Sequence, residues 1–207
     1  MKYGAMLATA AVGAIALGCG TRVMIPPRID LTQHEIVGVL EFTASSEGDL
    51  GPYATRRFID VARRDQGLVR ITDLGSQTKA LQDVGRPRLD AAAIQALGER
   101  NGVQTLFAGQ LEISDVRPVV RIDPGLLRSS VAADVDATLS VQLIETASGA
   151  SLWSGSARTT RRVGHVRILG GGDFAFDAED PNRAYADLVE ALVYQVTRDF
   201  RASWERR

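Results

Sequence analysis

L-S-V-Q-L-I-E-T-A-S-G-A-S-L-W-S-G, residues Leu139 to Gly155, alternates apolar with polar side chains, turns at Ser148-Gly149 and returns through Leu152 and Trp153. The alternation begins further upstream. Ala133, Val135, Ala137, Leu139, Val141 and Leu143 fall on one face, and Asp134, Asp136, Thr138, Ser140 and Gln142 fall on the other. Period two over that length is a strand with one face buried and one wet. The Ser-Gly turn makes Ser151 to Thr160 its hairpin partner. On this reading Asp134 and Asp136 belong to the solvated side, where two carboxylates make only an incomplete site for a hard cation.

Upstream of the hairpin, strands and helices take turns. Glu35 to Phe42, E-I-V-G-V-L-E-F, is almost continuously apolar, as suits a central strand covered on both faces. From Pro52, which fits a first helical turn, Tyr53, Phe58, Ile59 and Ala62 share a helical face. Arg56, Arg57, Arg63 and Arg64 lie mostly opposite, either as a solvated face or as a surface for an anionic partner. Leu68 to Leu74 is a second strand ended by Gly75, followed by a short helix capped by Ser76. Asp90 to Arg100 is a helix with Ala93, Ile94 and Leu97 inward, stopped by Asn101-Gly102. Thr105 to Ile113 is a third strand, in which Gly109 marks a bulge or a close approach. Asp115 to Ser130, with Pro118, Pro124 and Gly125, is expected as an edge strand and a loop.

Downstream, Gly170, Gly171 and Gly172 form a link, and Asp180-Pro181 opens a final helix. Its Tyr185, Leu188, Val189, Leu192, Val196 and Phe200 recur at steps of three and four, the stripe of a helix that closes a core. Trp204 and the arginine-rich end are expected to fray. The expected fold is α/β (α+β): a single domain over residues 35–207, a mixed sheet backed by helices, ending in a β-hairpin and a long C-terminal helix.

The first residues point to a location. Met1-Lys2 is a short positive start, Tyr3 to Leu17 is almost entirely small or apolar, and Gly18 precedes Cys19, the single cysteine. That is the layout of a secretory signal peptide. The apolar run is too short for a helix crossing about 30 Å of hydrocarbon, which takes about 20 residues. Residues 1–18 are therefore expected as signal, and residues 19–34, with Pro26 and Pro27 holding the chain extended, as a short tether.

The remaining inventory is thin in chemistry. The 207 residues carry 24 Lys+Arg against 25 Asp+Glu, a balance with no electrostatic footprint for nucleic acid. His34 and His165 are isolated, no serine sits in a nucleophile elbow, and the triple glycine lacks the Gly-Lys-Ser/Thr of a phosphate loop. Asp173, Asp177, Glu179 and Asp180 are a solvated loop and helix start, or a weak calcium site. No catalytic residue, cofactor or metal site is expected.

Several of these segments resemble known families. The step Ala16-Leu17-Gly18-Cys19 is similar to the lipobox of bacterial lipoproteins, although Ala16 stands where that family prefers leucine. The resemblance implies diacylation of Cys19 through its sulfur and cleavage just before it; an ordinary signal peptide leaving a free thiol is the alternative. Gly20 in place of the aspartate retention mark implies the periplasmic face of the outer membrane. Ile36 to Phe42, the helix of Asp90 to Arg100 running into Gly102 to Ile113, and the hairpin Leu139 to Gly155 resemble the curli-secretion lipoprotein CsgG. They are similar also to LpoB-type activators of penicillin-binding proteins and to the amino-terminal domain of TolB. These likenesses imply a non-enzymatic envelope lipoprotein that binds an envelope protein or its own copies, with a membrane contact through Cys19. A secretion-pore component, and a ligand sensor or hydrolase without a recognisable motif, are the alternatives. For the two long membrane hairpins of the curli protein this chain has at most one stretch, Val116 to Thr160, and the long tether of LpoB-type proteins is not expected here.

Overall fold

The computed structural model describes residues 22–45, 49–123, 128–164, 166–168, 174–176 and 181–206. Cys19, the signal segment, His165, the triple glycine and the acidic cluster Asp173 to Asp180 lie outside the described residues. In chain order the elements are β1 (Arg22–Ile25), β2 (Val37–Glu41), β3 (Thr43–Ala44), α1 (Leu50–Arg63), β4 (Ile71–Ser76), α2 (Gln77–Asp83) and α3 (Ala91–Asn101). There follow β5 (Thr105–Asp123), β6 (Arg128–Glu145), β7 (Ser151–Gly164), β8 (Val166–Ile168), β9 (Phe174–Phe176), α4 (Pro181–Val196) and β10 (Ser203–Arg206).

The main sheet runs β4-β2-β5-β6-β7, with β3 adding to β5. β2 is parallel to both β4 and β5, while β5-β6 and β6-β7 are antiparallel. The continuous apolar run of β2 follows from that place, because a strand between two parallel neighbours has helices over both faces. One face carries Val37, Val39, Phe107, Leu111, Val135, Ala137, Leu139, Val141 and Leu143 against α1, α4 and the 3-10 turn Thr197–Phe200. On the other face Leu40, Leu106 and Ile144 meet Ala80 of α2 and Ile94 and Leu97 of α3. The expected mixed sheet backed by helices, with a hairpin followed by a C-terminal helix, is the observed fold.

Aromatic packing fixes the larger core. Phe58 of α1 lies 4.9 Å from Phe107 and 5.2 Å from Phe42, ring centroid to centroid, and Phe200 joins the group 5.6 Å from Phe107. Such tilted and edge-on pairs contribute about 0.5–1.5 kcal/mol each beyond the area they bury. Gly109 is the close approach anticipated for it: a Cβ there would stand 2.7 Å from the Phe42 ring. The helix ends obey their local signals. Ser76 accepts from the backbone N–H of Lys79, Asp90 from that of Ala93, and Gly102 closes α3 in the left-handed region.

Three segments differ from the sequence expectation. The stretch Asp115 to Ser130, expected as an edge strand and a loop, continues β5 and β6 as the distal half of one long hairpin paired out to Asp123 and Arg128. A bulge between Ile113 and Asp115 marks its start, and Pro118, which suggested an edge or a loop, takes a place in the ladder opposite Ala133. Gly20 to His34, expected as a spacer, places Leu31 fully inside the core and pairs Arg22–Ile25 with another strand. That partner is β10, so Trp204 to Arg206, expected to fray, is laddered to the entry strand.

Candidate interaction surface

α1 and α4 pack side by side over the sheet, and the seam between their outer flanks is a groove of about 580 Å³. Arg57 of α1, Arg64 just past its end, Arg161 of β7, and Asp187, Glu190 and Tyr194 of α4 line it. Arg57 donates from Nη2 to Glu190 at 2.8 Å, while its Nε is buried without a partner. The Arg201 guanidinium stacks 3.6 Å from the centroid of the Tyr194 ring, and the same group donates to the Tyr194 carbonyl at 2.6 Å. The arginines of α1 thus divide between solvent and an ion pair across the helices. Mixed charge in an open groove suits a polar macromolecular surface rather than bond chemistry, which needs a nucleophile and a base in reach of one another.

The opposite side of the β5-β6-β7 ladder is open. α2 and α3 cover only the end near Leu106 and Ile144, so Gln110, Glu112, Ser140, Gln142, Ser154 and Ser156 stay exposed. The row continues outward as paired charges. Arg162 holds Asp134 through two hydrogen bonds of 2.9 and 3.2 Å, and this carboxylate raises the pKa of the guanidinium. Asp136 accepts from Thr160 and lies 3.7 Å from Arg158. At 4% exposure, Asp136 is buried and not on a wet face as the alternation implied, and Thr160 and Arg158 of β7 supply its partners there. β7 ends the strand order of the main sheet. Its outer edge therefore has no strand neighbour among the described residues.

A second groove, of about 550 Å³, lies at the C-terminal end of α3, with His34, Gln95, Glu99, Gln104 and Glu145 on its walls. The hydroxyl of Thr105 is buried there without a hydrogen-bond partner. Among the described residues no three His, Cys, Asp or Glu side chains are placed to hold a metal ion. No described helix is long and apolar enough to cross a membrane. Cys19, the one site residue expected from the sequence, lies outside the described residues. The Asp134–Arg162 and Asp136–Arg158 pairs were missed by reading strands singly. Acids and bases at period two on both arms of one hairpin were the available signal.

Neither a family model nor a curated protein sequence matches the chain. Solved structures similar to it include the PelC dodecamer from Paraburkholderia phytofirmans, 15% identical at a TM-score of 0.46, covering 87% of this chain and 96% of that chain. Lipoprotein GNA1162 from Neisseria meningitidis is 15% identical at a TM-score of 0.38, covering 78% of this chain and 96% of that chain. The LpoB C-terminal domain from Escherichia coli is 14% identical at a TM-score of 0.37, covering 61% and 83% respectively. The LpoB-type domain is one of the likenesses drawn from the sequence.

Proposed function

We propose that this chain is a non-enzymatic lipoprotein, anchored through Cys19 to the periplasmic face of the outer membrane, whose domain binds an envelope protein or its own copies. The observation that carries the reading is the order of the first nineteen residues: positive start, apolar run too short to span, small residue, single cysteine. Several acyl chains, at about 0.8 kcal/mol per buried CH2, hold a domain on a bilayer where one chain is marginal. The open edge of β7 and the α1–α4 groove supply contact surface for a partner. The test is fractionation of Cys19→Ala, with the mass of the native amino-terminal peptide measured alongside. The variant leaves the membrane fraction and the native peptide carries acyl chains; an unmodified terminus on a freely diffusing protein overturns the reading.

A second reading, a component of a secretion pore, has one observation in its favour. The distal hairpin runs over Asp115–Asp123, about 30 Å at strand rise, and its register sets Val116, Pro118 and Val120 opposite Val135, Ala133 and Val131. The alternate row sets Arg117, Arg121 and Asp123 opposite Asp134, Ser130 and Arg128. Val119 opposite Ala132 and Ile122 opposite Ser129 interrupt the alternation, so the length of the ladder, and not a clean division of its faces, favours this reading. Ring-shaped oligomers with bilayer conductance would support it, and a strictly monomeric native protein would sink it.

A further inference from the structure

The two chain ends of the fold meet in a ribbon of their own, β1 against β10, outside the main sheet. Its register pairs Arg22 with Arg206 and Met24 with Trp204. Directly opposed residues of an antiparallel pair share a face, so these four side chains form one surface. Met24 is 55% exposed and Trp204 65%, two large apolar groups in water, flanked by two exposed arginines. The reverse face holds Val23, 38% exposed, opposite Glu205, and Ile25, which is partly buried, opposite Ser203. An isolated two-stranded ribbon is marginal in water, and this one leaves its apolar pair uncovered.

We propose that this face is a membrane-contact surface: Met24 and Trp204 sit in the headgroup layer and Arg22 and Arg206 pair with lipid phosphates. The proposal rests on the acylation of Cys19 for its geometry. Only Gly20 and Thr21 separate Cys19 from Arg22, and three residues reach at most about 11 Å. The headgroup layer is about 5–7 Å deep on each side of the hydrocarbon, so an acylated Cys19 holds the Arg22 end of the ribbon near the bilayer surface and leaves the ribbon's own side chains to seat its face there. The chemistry agrees with the position. Indole prefers the interface, where its ring is in lipid and its N–H in water, and guanidinium binds phosphate with a two-pronged fit. The ribbon is also fixed to the body. Gln66 donates to the carbonyls of Ile29 and Phe200, both at 2.8 Å, and Asp65 accepts from the backbone N–H of Ala202 at 3.0 Å. Both strands thus leave the domain from one clamped point, and the ribbon's seat on the lipid sets how the domain stands over it.

The test uses the native full chain, purified from membranes and reconstituted into phosphatidylethanolamine–phosphatidylglycerol vesicles, with or without bromine atoms placed on the acyl chains just below the carbonyls. Of its two tryptophans, Trp153 is core-packed and hydrogen-bonded to Asp199 at 3.2 Å, so it serves as the internal reference. The Trp204 signal, wild type minus Trp204→Phe, falls at least about twofold in brominated vesicles, as an indole at headgroup level requires. In the Arg22→Glu/Arg206→Glu variant that quenching is lost. Unquenched Trp204 in protein whose mass shows acylation overturns the ribbon contact and leaves the anchor standing. Quenched Trp204 in chain that proves unacylated supports the contact and overturns the anchor. A Trp204 emission that shifts with protein concentration, without lipid, and stays unquenched in vesicles assigns the face to a second copy and overturns the proposal. Quenching unchanged by the charge reversals overturns the phosphate pairing.

Discussion

Gln66, 3% exposed, ties both chain ends to the body of the domain with one side chain. Its oxygen accepts from the N–H of buried Leu31 at 2.6 Å while its nitrogen serves the Ile29 and Phe200 carbonyls. Truncation strands those groups in the interior, where each unsatisfied one costs about 1–3 kcal/mol. Gln66→Ala is expected to lower stability by about 2–4 kcal/mol, read as a fall in denaturant midpoint at unchanged slope, with faster amide exchange in β1 and β10. Tyr185 gives a pH dependence. Burial pushes its phenol up to about 12 from the usual 10. The folded state thus keeps the proton that the unfolded chain gives up, so the stabilisation is complete below pH 10 and declines as pH rises to about 12. Tyr185→Phe removes that alkaline decline, which urea unfolding in steps across the same window would detect; an identical decline in both proteins would count against it.

At the scale of elements, the β5-β6 hairpin divides at the bulge after Ile113. The described core residues of these strands stop at Ile113 and Val135, and the paired backbone continues to Asp123 and Arg128. Replacing residues 120–131 with Asn-Gly, a two-residue turn matched to strand twist, should leave the core intact. Thermal unfolding is expected to move by less than about 4 °C, the equivalent of ~1 kcal/mol in a domain of this size. If the distal hairpin enters a bilayer, the same excision abolishes conductance of the native protein. A shift much larger than that would show that the outer ladder carries the fold, and the hairpin would lose its standing as an appended device.

For the whole molecule, location and folding separate. Cys19, the proposed anchor, precedes every described element, and the core draws its cohesion from two helical layers on one sheet. Cys19→Ala is therefore expected to change where the protein is found without changing its melting temperature, checked by fractionation and calorimetry on the same preparation. A variant that moved and also melted earlier would mean that the lipid end stabilises the domain.

The helices and strands with a period were legible in the sequence: Val135 to Leu143 at every second residue, Tyr185 to Phe200 at steps of three and four, and the caps Ser76, Asp90 and Gly102. Burial against one continuous layer imposes a repeat on the chain, so these elements declare themselves locally. Asp136 buried beside β7, Leu31 joining the core, Trp204 laddering to Met24 and Gln66 clamping both chain ends depend on segments that are not neighbours in sequence meeting in space. No local period records such meetings, because each is fixed by which surfaces the packed layers leave side by side, and only the tertiary structure decides that.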